Sequence, residues 1–488
     1  MVFRLRRDKF HYMAISDKKQ TVMPMPQDIV PPRGERLQLP ESVWLRDPVI
    51  PDLKGEVDDK YMYSVDNKDG GLHGWISSGP PDPAVVGFWL VFPSTEFRSG
   101  GPTKQNLTNH TGPFCLAGRY YSQCSTARVP GNQLFIEMFH GTHYIGDDIV
   151  ASFANGEAWR KVYGPVFAYL NSTRSVNNAY DLWLDAKEKR VEEEKAWPYD
   201  FVSSPFYLMS SERGSASGTL YIQDRFLSGS LIPASYAYVG LAASRTEGSW
   251  QTESKGYQFW TITDSKGAFT INNVIPGTYC VHGWVPGFVG DYIAEELVNI
   301  SPGSPTQLGN LTYVSHRDGA TVWEIGFPDR TAMGFYVPDP NPNYVNKLFI
   351  NCPEKYRQYG LWDRKIAEKK YSPTTWQIKF NLNGITSGIY KLRLSVAASN
   401  HSDIQVRVNN PNSKRPLFEV ANLGMDNTIG RHGIHGLYQL FSVDVPSALL
   451  IKGDNIVYLT QANAGNQFVG VLYDYIRLEA PASPGHSD

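Results

Sequence analysis

The sequence holds few of the features that would assign a common function class. No apolar run is long enough to span a bilayer. The first residues, Met1-Val2-Phe3-Arg4-Leu5-Arg6-Arg7-Asp8, contain no apolar core of a secretory leader. Four cysteines in 488 residues are too few for a disulfide scaffold, and their spacing does not match a zinc site. The net charge of −2 provides no basic face for nucleic acid. Gly-x-Ser-x-Gly, a phosphate-binding glycine loop and His-Glu-x-x-His are all missing. An acyl-transfer elbow, a nucleotide site of the common kind and a zinc protease are thereby excluded.

What is abundant is turn chemistry and aromatic surface. The chain carries 43 Gly and 33 Pro, and 13% of its residues are aromatic, including 28 Tyr and 12 Trp. Such rings fill β-sandwich cores and also suit the faces of sugars. Six Asn-x-Ser/Thr sequons, at Asn106, Asn109, Asn171, Asn299, Asn310 and Asn400, weigh modestly toward secretion. At roughly 150 residues per domain the length implies about three domains.

Short alternating runs predict strands at 88–92, 166–170 and 391–396. One helix is predicted from Asp181 to Ala196, with Asp181 as N-cap, Leu184 and Val191 as its apolar positions and a stop before Pro198. It is read as an exposed helix closing the first domain. A second unit opens near Gly214. Its stretch from Asp264 to Tyr279 reads as turn, alternating strand, Pro-Gly turn and strand. A third unit follows Arg317-Asp318-Gly319 and ends on a strand at 469–478. Strict alternation there places Tyr473, Tyr475 and Arg477 on one side. The expected architecture is all-β: a catalytic β-sandwich over 1–212, a fibronectin-III-like or carboxypeptidase-regulatory-like sandwich over 213–317, and a jelly-roll carbohydrate-binding-like domain over 318–480. Residues 481–488 are expected to form a disordered tail.

The chemistry gathers in the first unit. Gly55–Tyr63 is followed by Leu72-His73-Gly74-Trp75, by Phe97-Arg98-Ser99-Gly100-Gly101-Pro102-Thr103-Lys104-Gln105-Asn106-Leu107 and by Phe139-His140-Gly141-Thr142-His143-Tyr144. Gly-Gly-Pro permits a tight turn with close backbone approach, which would set Lys104 in a cleft. A free lysine near 10.4 is a poor base at neutral pH. Lowering it to ~7–8 takes roughly 3–5 kcal/mol of differential interaction, within reach of burial beside a cation such as Arg98.

These segments resemble the rhamnogalacturonan lyases of polysaccharide lyase family 4, in their plant form. The likeness continues in order through Trp159–Phe167, Trp284–Tyr292, Trp323-Glu324-Ile325-Gly326, Tyr336–Pro342, Arg357–Trp362, Arg431–Tyr438 and Tyr473–Leu478. It implies a galactose-mutarotase-like sandwich followed by the two domains above. The implied reaction is β-elimination on rhamnogalacturonan I, leaving a 4,5-unsaturated galacturonate end. The resemblance also implies roles. Lys104 is the base and His143 the proton donor or charge stabiliser. Arg98 and Lys60 grip carboxylates, and Tyr61, Tyr63 and Tyr144 line the cleft. His140 competes with His143, but alternation puts the two on opposite sides, and the family's His-Tyr ending favours His143. No metal or cofactor is expected, the partner is pectic polysaccharide, the chain is expected to be monomeric, and its place is the cell wall.

Three differences from relatives also shape expectations. The chain begins at a stretch that lies inside the catalytic domain of relatives, so an N-terminally incomplete sandwich is expected. Gly118–Met138 intervenes between Lys104 and His143, and the stretch from Trp362 to Thr374 is short. A catalytically inactive, pectin-binding relative is therefore the alternative expectation.

Overall fold

The computed structural model describes residues 4–6, 9–36, 42–59, 64–77, 84–107, 133–135, 147–174, 179–243, 246–335, 361–362, 364–367, 370–426, 436–465 and 469–482. Lys60, Tyr61, Tyr63, His140, His143 and Tyr144 lie outside them. So do 118–132 and 136–138 of the intervening stretch, and the tail beyond 482. The described part is all-β, with one α-helix, Ala179–Ala196.

The first domain centres on a five-stranded antiparallel sheet ordered Phe167–Thr173, Val85–Val91, Leu72–Ser77, Phe10–Ala14 and Gln20–Val22. Both faces of this sheet are covered. Met13, Trp75, Leu90, Phe92 and Phe97 form one core, while Ala14, Ile76, Trp89 and Val91 pack against Leu182, Trp183 and Ala186 of the helix. The helix is therefore packed along one face and is not the exposed element expected. Leu184 and Val191 are 38% and 37% exposed, whereas Leu182, Trp183 and Ala186 face the sheet. Their i, i+1, i+4 spacing makes one helical face, which two isolated apolar positions among charges could not reveal.

Three smaller ladders flank the sheet. Ser64–Asp66 pairs with Gln105–Leu107, Gly34–Arg36 with Ser42–Leu45 and onward to Val57–Asp59, and Arg4–Arg6 with Gln133–Phe135. The last pairing ties the end of the intervening stretch to the start of the chain.

The second domain is a two-sheet sandwich. Gly214–Gln223 lies between Ala268–Val274, antiparallel, and Pro305–Val314, parallel. Facing them are Tyr238–Ala242, Phe259–Ile262 and Gly277–Trp284. Leu220, Val239, Phe269, Ile271 and Val281 fill the space between. The two strands joined by the Pro276-Gly277 turn belong to different sheets, so that turn crosses the sandwich and does not close a hairpin.

The third domain is built on the long strand Ile389–Val408, which pairs with Phe418–Met425, Gln439–Pro446, Gly453–Gln461 and Gly470–Glu479. The final strand corrects strict alternation. Ser395 faces Tyr475 while Val396 faces Tyr473, so Asp474 is an extra residue, a β-bulge. The bulge flips the side-chain parity. Val471, Tyr473, Ile476 and Leu478 all enter the core, and Tyr473 is thereby separated from Tyr475 and Arg477. The freed Asp474 accepts from the backbone N–H groups of Asp329 (3.0 Å) and Arg330 (2.8 Å) and from the Ser395 hydroxyl (2.8 Å).

Candidate functional site

The Gly-Gly-Pro segment forms the turn expected of it, and its conformation needs glycine. Gly100 and Gly101 sit at φ +78° and +68°, and a Cβ on Gly101 would come 2.4 Å from the Trp250 ring. Neighbouring backbone pins the turn. Asn67 donates its backbone N–H to the Lys104 carbonyl (2.9 Å), and its side-chain amide donates to the carbonyls of Ser99 and Gly101 (2.9 and 2.8 Å). Gly100 donates to the Glu253 carbonyl at 3.0 Å. Asn67 is thus a hub of the site that sequence reasoning missed. Nothing but its place before a turn would have marked it.

Lys104 leaves this turn toward the third domain. Its Nζ donates to Asp426 Oδ1 at 3.3 Å, and both side chains are 1% exposed. The second Asp426 oxygen accepts the Leu437 N–H at 2.6 Å. Leu437 packs on Ile149, and Met425 donates its N–H to Asp148 at 3.0 Å. Lys104 therefore sits in a closed junction, not along an open wall.

Arg98 takes a different course from the same segment. Its guanidinium donates to the carbonyls of Asn67 (2.9 Å) and Gly70 (2.6 Å) and lies over Phe92, 4.6 Å from the ring centroid. Burial lowers its pKa to about 9. Arg98 and Lys104 thus share Asn67, one binding its carbonyl and the other its N–H. Arg98 lines a cavity of about 150 Å³ with Asn67, Pro102, Tyr238 and Trp260. That space adjoins a cleft of about 520 Å³ between the first two domains, bounded by Lys68, Asp69, Glu96, Glu194, Trp260 and Asn272. Lys104 lines neither.

His73, from the same motif cluster, is no proton donor. Burial, with the Arg98 charge adding to it, holds it down to about 3, and its Nδ1 lies 2.8 Å from the Ile15 carbonyl. Lys161 is lowered to about 8 by burial. Its Nζ is engaged by the carbonyls of Ser254 (3.1 Å) and Gly256 (2.6 Å), which makes it a tie between the first two domains.

Two further contacts fix the domains around the turn. Arg213 grips Glu96 with two nitrogens, at 2.7 and 3.2 Å, and both residues are buried. Arg330 lies among the rings of Trp250, Trp284 and Tyr438, at 5.2, 4.7 and 4.3 Å, and donates to Asp291 at 2.8 Å. Trp250 donates its indole N–H to the same Asp291 oxygen at 3.0 Å, and the Tyr438 hydroxyl accepts the Gly290 N–H at 2.9 Å. The tryptophan beneath Gly101 is in this way tied to the third domain.

Family models match three stretches of the chain: the rhamnogalacturonate lyase family over 1–57, polysaccharide lyase family 4, domain II, over 234–308, and domain III of the same family over 321–478. All three models describe rhamnogalacturonate lyases or polysaccharide lyase family 4, and together they match more than half of the chain. It is 24% identical over 438 residues to a rhamnogalacturonate lyase of Dickeya dadantii, covering 88% of this chain and 65% of that one. It is 22% identical over 554 residues to rhamnogalacturonate lyase B of Emericella nidulans, covering 98% and 76%. A probable rhamnogalacturonate lyase C of the same fungus is 25% identical over 317 residues, covering 62% and 26%. The chain thus spans a little under two thirds of the bacterial relative's length. Asp426 lies in the stretch matched as domain III, and the Lys104 turn lies between the stretches matched over 1–57 and 234–308.

Proposed function

We propose that this chain is a rhamnogalacturonan endolyase acting by β-elimination on pectic polysaccharide outside the cell, as a monomer. The observation that carries the proposal is the three family-model matches together with a lysine fixed on a Gly-Gly-Pro turn where three domains meet. In the reaction the Lys104 Nζ lone pair takes the C5 proton of a galacturonate. The C5–H electrons become the C4=C5 double bond, the C4–O4 bond breaks, and the leaving rhamnose oxygen takes up a proton, with His143 as its donor. The C5 proton is weakly acidic beside an ionised carboxylate, so cationic groups must stabilise the enolate-like state. Arg98, Lys60, Tyr61, Tyr63 and Tyr144 are proposed to bind the uronate. Two of Arg98's three nitrogens are already held by carbonyls. Its contribution is therefore charge at a distance or through the remaining N–H groups of the guanidinium.

Lys104 is 1% exposed, so a polymer reaches it only once the surrounding chain opens. That burial also favours a second reading, a pectin-binding relative without cleavage. The test is an assay of purified protein on rhamnogalacturonan I, read as ultraviolet absorbance of unsaturated uronate. A rise that disappears in Lys104→Ala is expected. Retention on pectic polysaccharide with no rise from the unaltered protein would replace the lyase by the binder.

A further inference from the structure

We propose that Asp426, on the third domain, is the positioning residue for Lys104, so that the jelly-roll domain completes the catalytic centre in addition to any carbohydrate it binds. The proposal rests on the lyase reading for its catalytic meaning. The contact itself stands without that reading.

The geometry is that of a built pair. Lys104 Nζ and Asp426 Oδ1 are 3.3 Å apart with both side chains withdrawn from solvent. Asp426 does not depend on the lysine for its orientation, because the Leu437 N–H holds its other oxygen at 2.6 Å. Leu437 is in turn fixed by its contact with Ile149. The next residue, Tyr438, exchanges two hydrogen bonds with the Gln251 side chain, at 2.8 and 3.2 Å. A carboxylate clamped from the third domain therefore sets the direction of the Nζ on the first.

Among the described residues, charged groups on neighbouring elements have partners of their own. Asp66 pairs with Lys68 at 3.0 Å. Arg98 is bound to two carbonyls, and Asp148 accepts the Met425 N–H. Glu253 accepts the N–H groups of Lys255 and Gly256 at 2.7 and 2.8 Å.

A base that takes a proton from carbon becomes a cation as it does so. A fixed carboxylate beside it stabilises that developing charge. The same carboxylate favours the ammonium form at rest, so the neutral, reactive amine is populated only at higher pH. Asp426 thus raises the plateau rate and moves the acidic limb of the pH profile upward. A residue with a merely structural role would not raise the plateau and move the acidic limb upward together.

The experiment is Asp426→Asn in the full chain, which keeps the shape and an acceptor for Leu437. With rhamnogalacturonan I as substrate, the plateau kcat is expected to fall at least about tenfold with KM little changed. The acidic limb should move down by roughly one pH unit. Asp426→Glu should recover part of the plateau. A variant that is faster at every pH would mean that the pair only shuts the site, and an unchanged profile would mean no role; either overturns the proposal.

If the unaltered protein has no lyase activity, the lyase reading fails while the pairing is still decided by nitrogen NMR of the lysine ammonium groups. The Lys104 signal, assigned by its loss in Lys104→Met, should be protected from exchange with solvent and shift in Asp426→Asn. A Lys104 signal that exchanges as fast as those of surface lysines sinks the pairing. That measurement on the unaltered chain gives the answer even if Asp426→Asn does not fold.

Discussion

Lys104 and Asp426 are 322 positions apart in the chain and 3.3 Å apart in space, each buried to 1%. A buried pair of this kind stabilises little compared with apolar groups, yet removing one member leaves an uncompensated charge. Lys104→Met and Asp426→Leu should each lower stability by about 3–5 kcal/mol, and the double substitution by clearly less than their sum. Denaturant melts of the four proteins test this. Additive losses would mean that the two charges do not depend on one another.

A second buried pair joins the first two domains. Arg213 holds Glu96 and also donates to the Asn273 carbonyl at 2.8 Å, so it retains a partner when Glu96 is neutralised. Burial, opposed by Arg213, raises the Glu96 pKa. Arg213→Met should therefore cost more than Glu96→Gln, by about 1–3 kcal/mol. Calorimetry of both variants measures the difference, and equal losses would count against the asymmetry.

Asp474 gives a pH dependence with a definite sign. Burial pushes its carboxyl up to about 7, against the opposing hydrogen bonds from Ser395, Asp329 and Arg330. Between roughly pH 4 and 7 the folded protein holds a proton that the unfolded chain has released. Its contribution is complete below the unfolded value and is lost as pH rises through the folded one. Asp474→Asn should accordingly gain in Tm relative to the unaltered protein as pH rises across that window. A constant difference would show that Asp474 is ionised throughout.

The sequons are not equivalent. Asn171 is fully employed: it accepts from the Trp89 indole at 2.7 Å and donates to the Leu182 carbonyl and Asp185 at 2.8 and 2.7 Å. Asn299 and Asn310 are exposed. Expression through a eukaryotic secretory route should place glycans on Asn299 and Asn310 and none on Asn171. Glycopeptide mass spectrometry reads this directly, and an occupied Asn171 would contradict the packing.

Local pattern carried the fold a long way. The strands expected at 88–92 and 166–170 overlap Val85–Val91 and Phe167–Thr173, the one at 391–396 lies within Ile389–Val408, and the helix begins two residues before Asp181. Alternation and turn residues act over a few positions, so a short segment records them. The parity flip at Asp474 was invisible, because a bulge is set by the partner strand and leaves no mark in its own residues. The same limit governs the site. Gly100, Gly101 and Lys104 could be singled out together because they form one motif. Asp426 could not, since its role comes entirely from how the third domain docks. Nor could the turning of Arg98 toward Asn67 and Gly70, which depends on carbonyls exposed by a neighbouring loop.

The position of Arg330 has a consequence for the protein's ancestry. One guanidinium touches Trp250 and Trp284 of the second domain and Tyr438 of the third, and Trp250 in turn limits what can stand at Gly101. Shuffling of exons or grafting of a foreign sugar-binding module would replace one side of this junction without the other. The three domains are therefore expected to have been inherited together, with the lysine turn, the tryptophan and the arginine changing as a set.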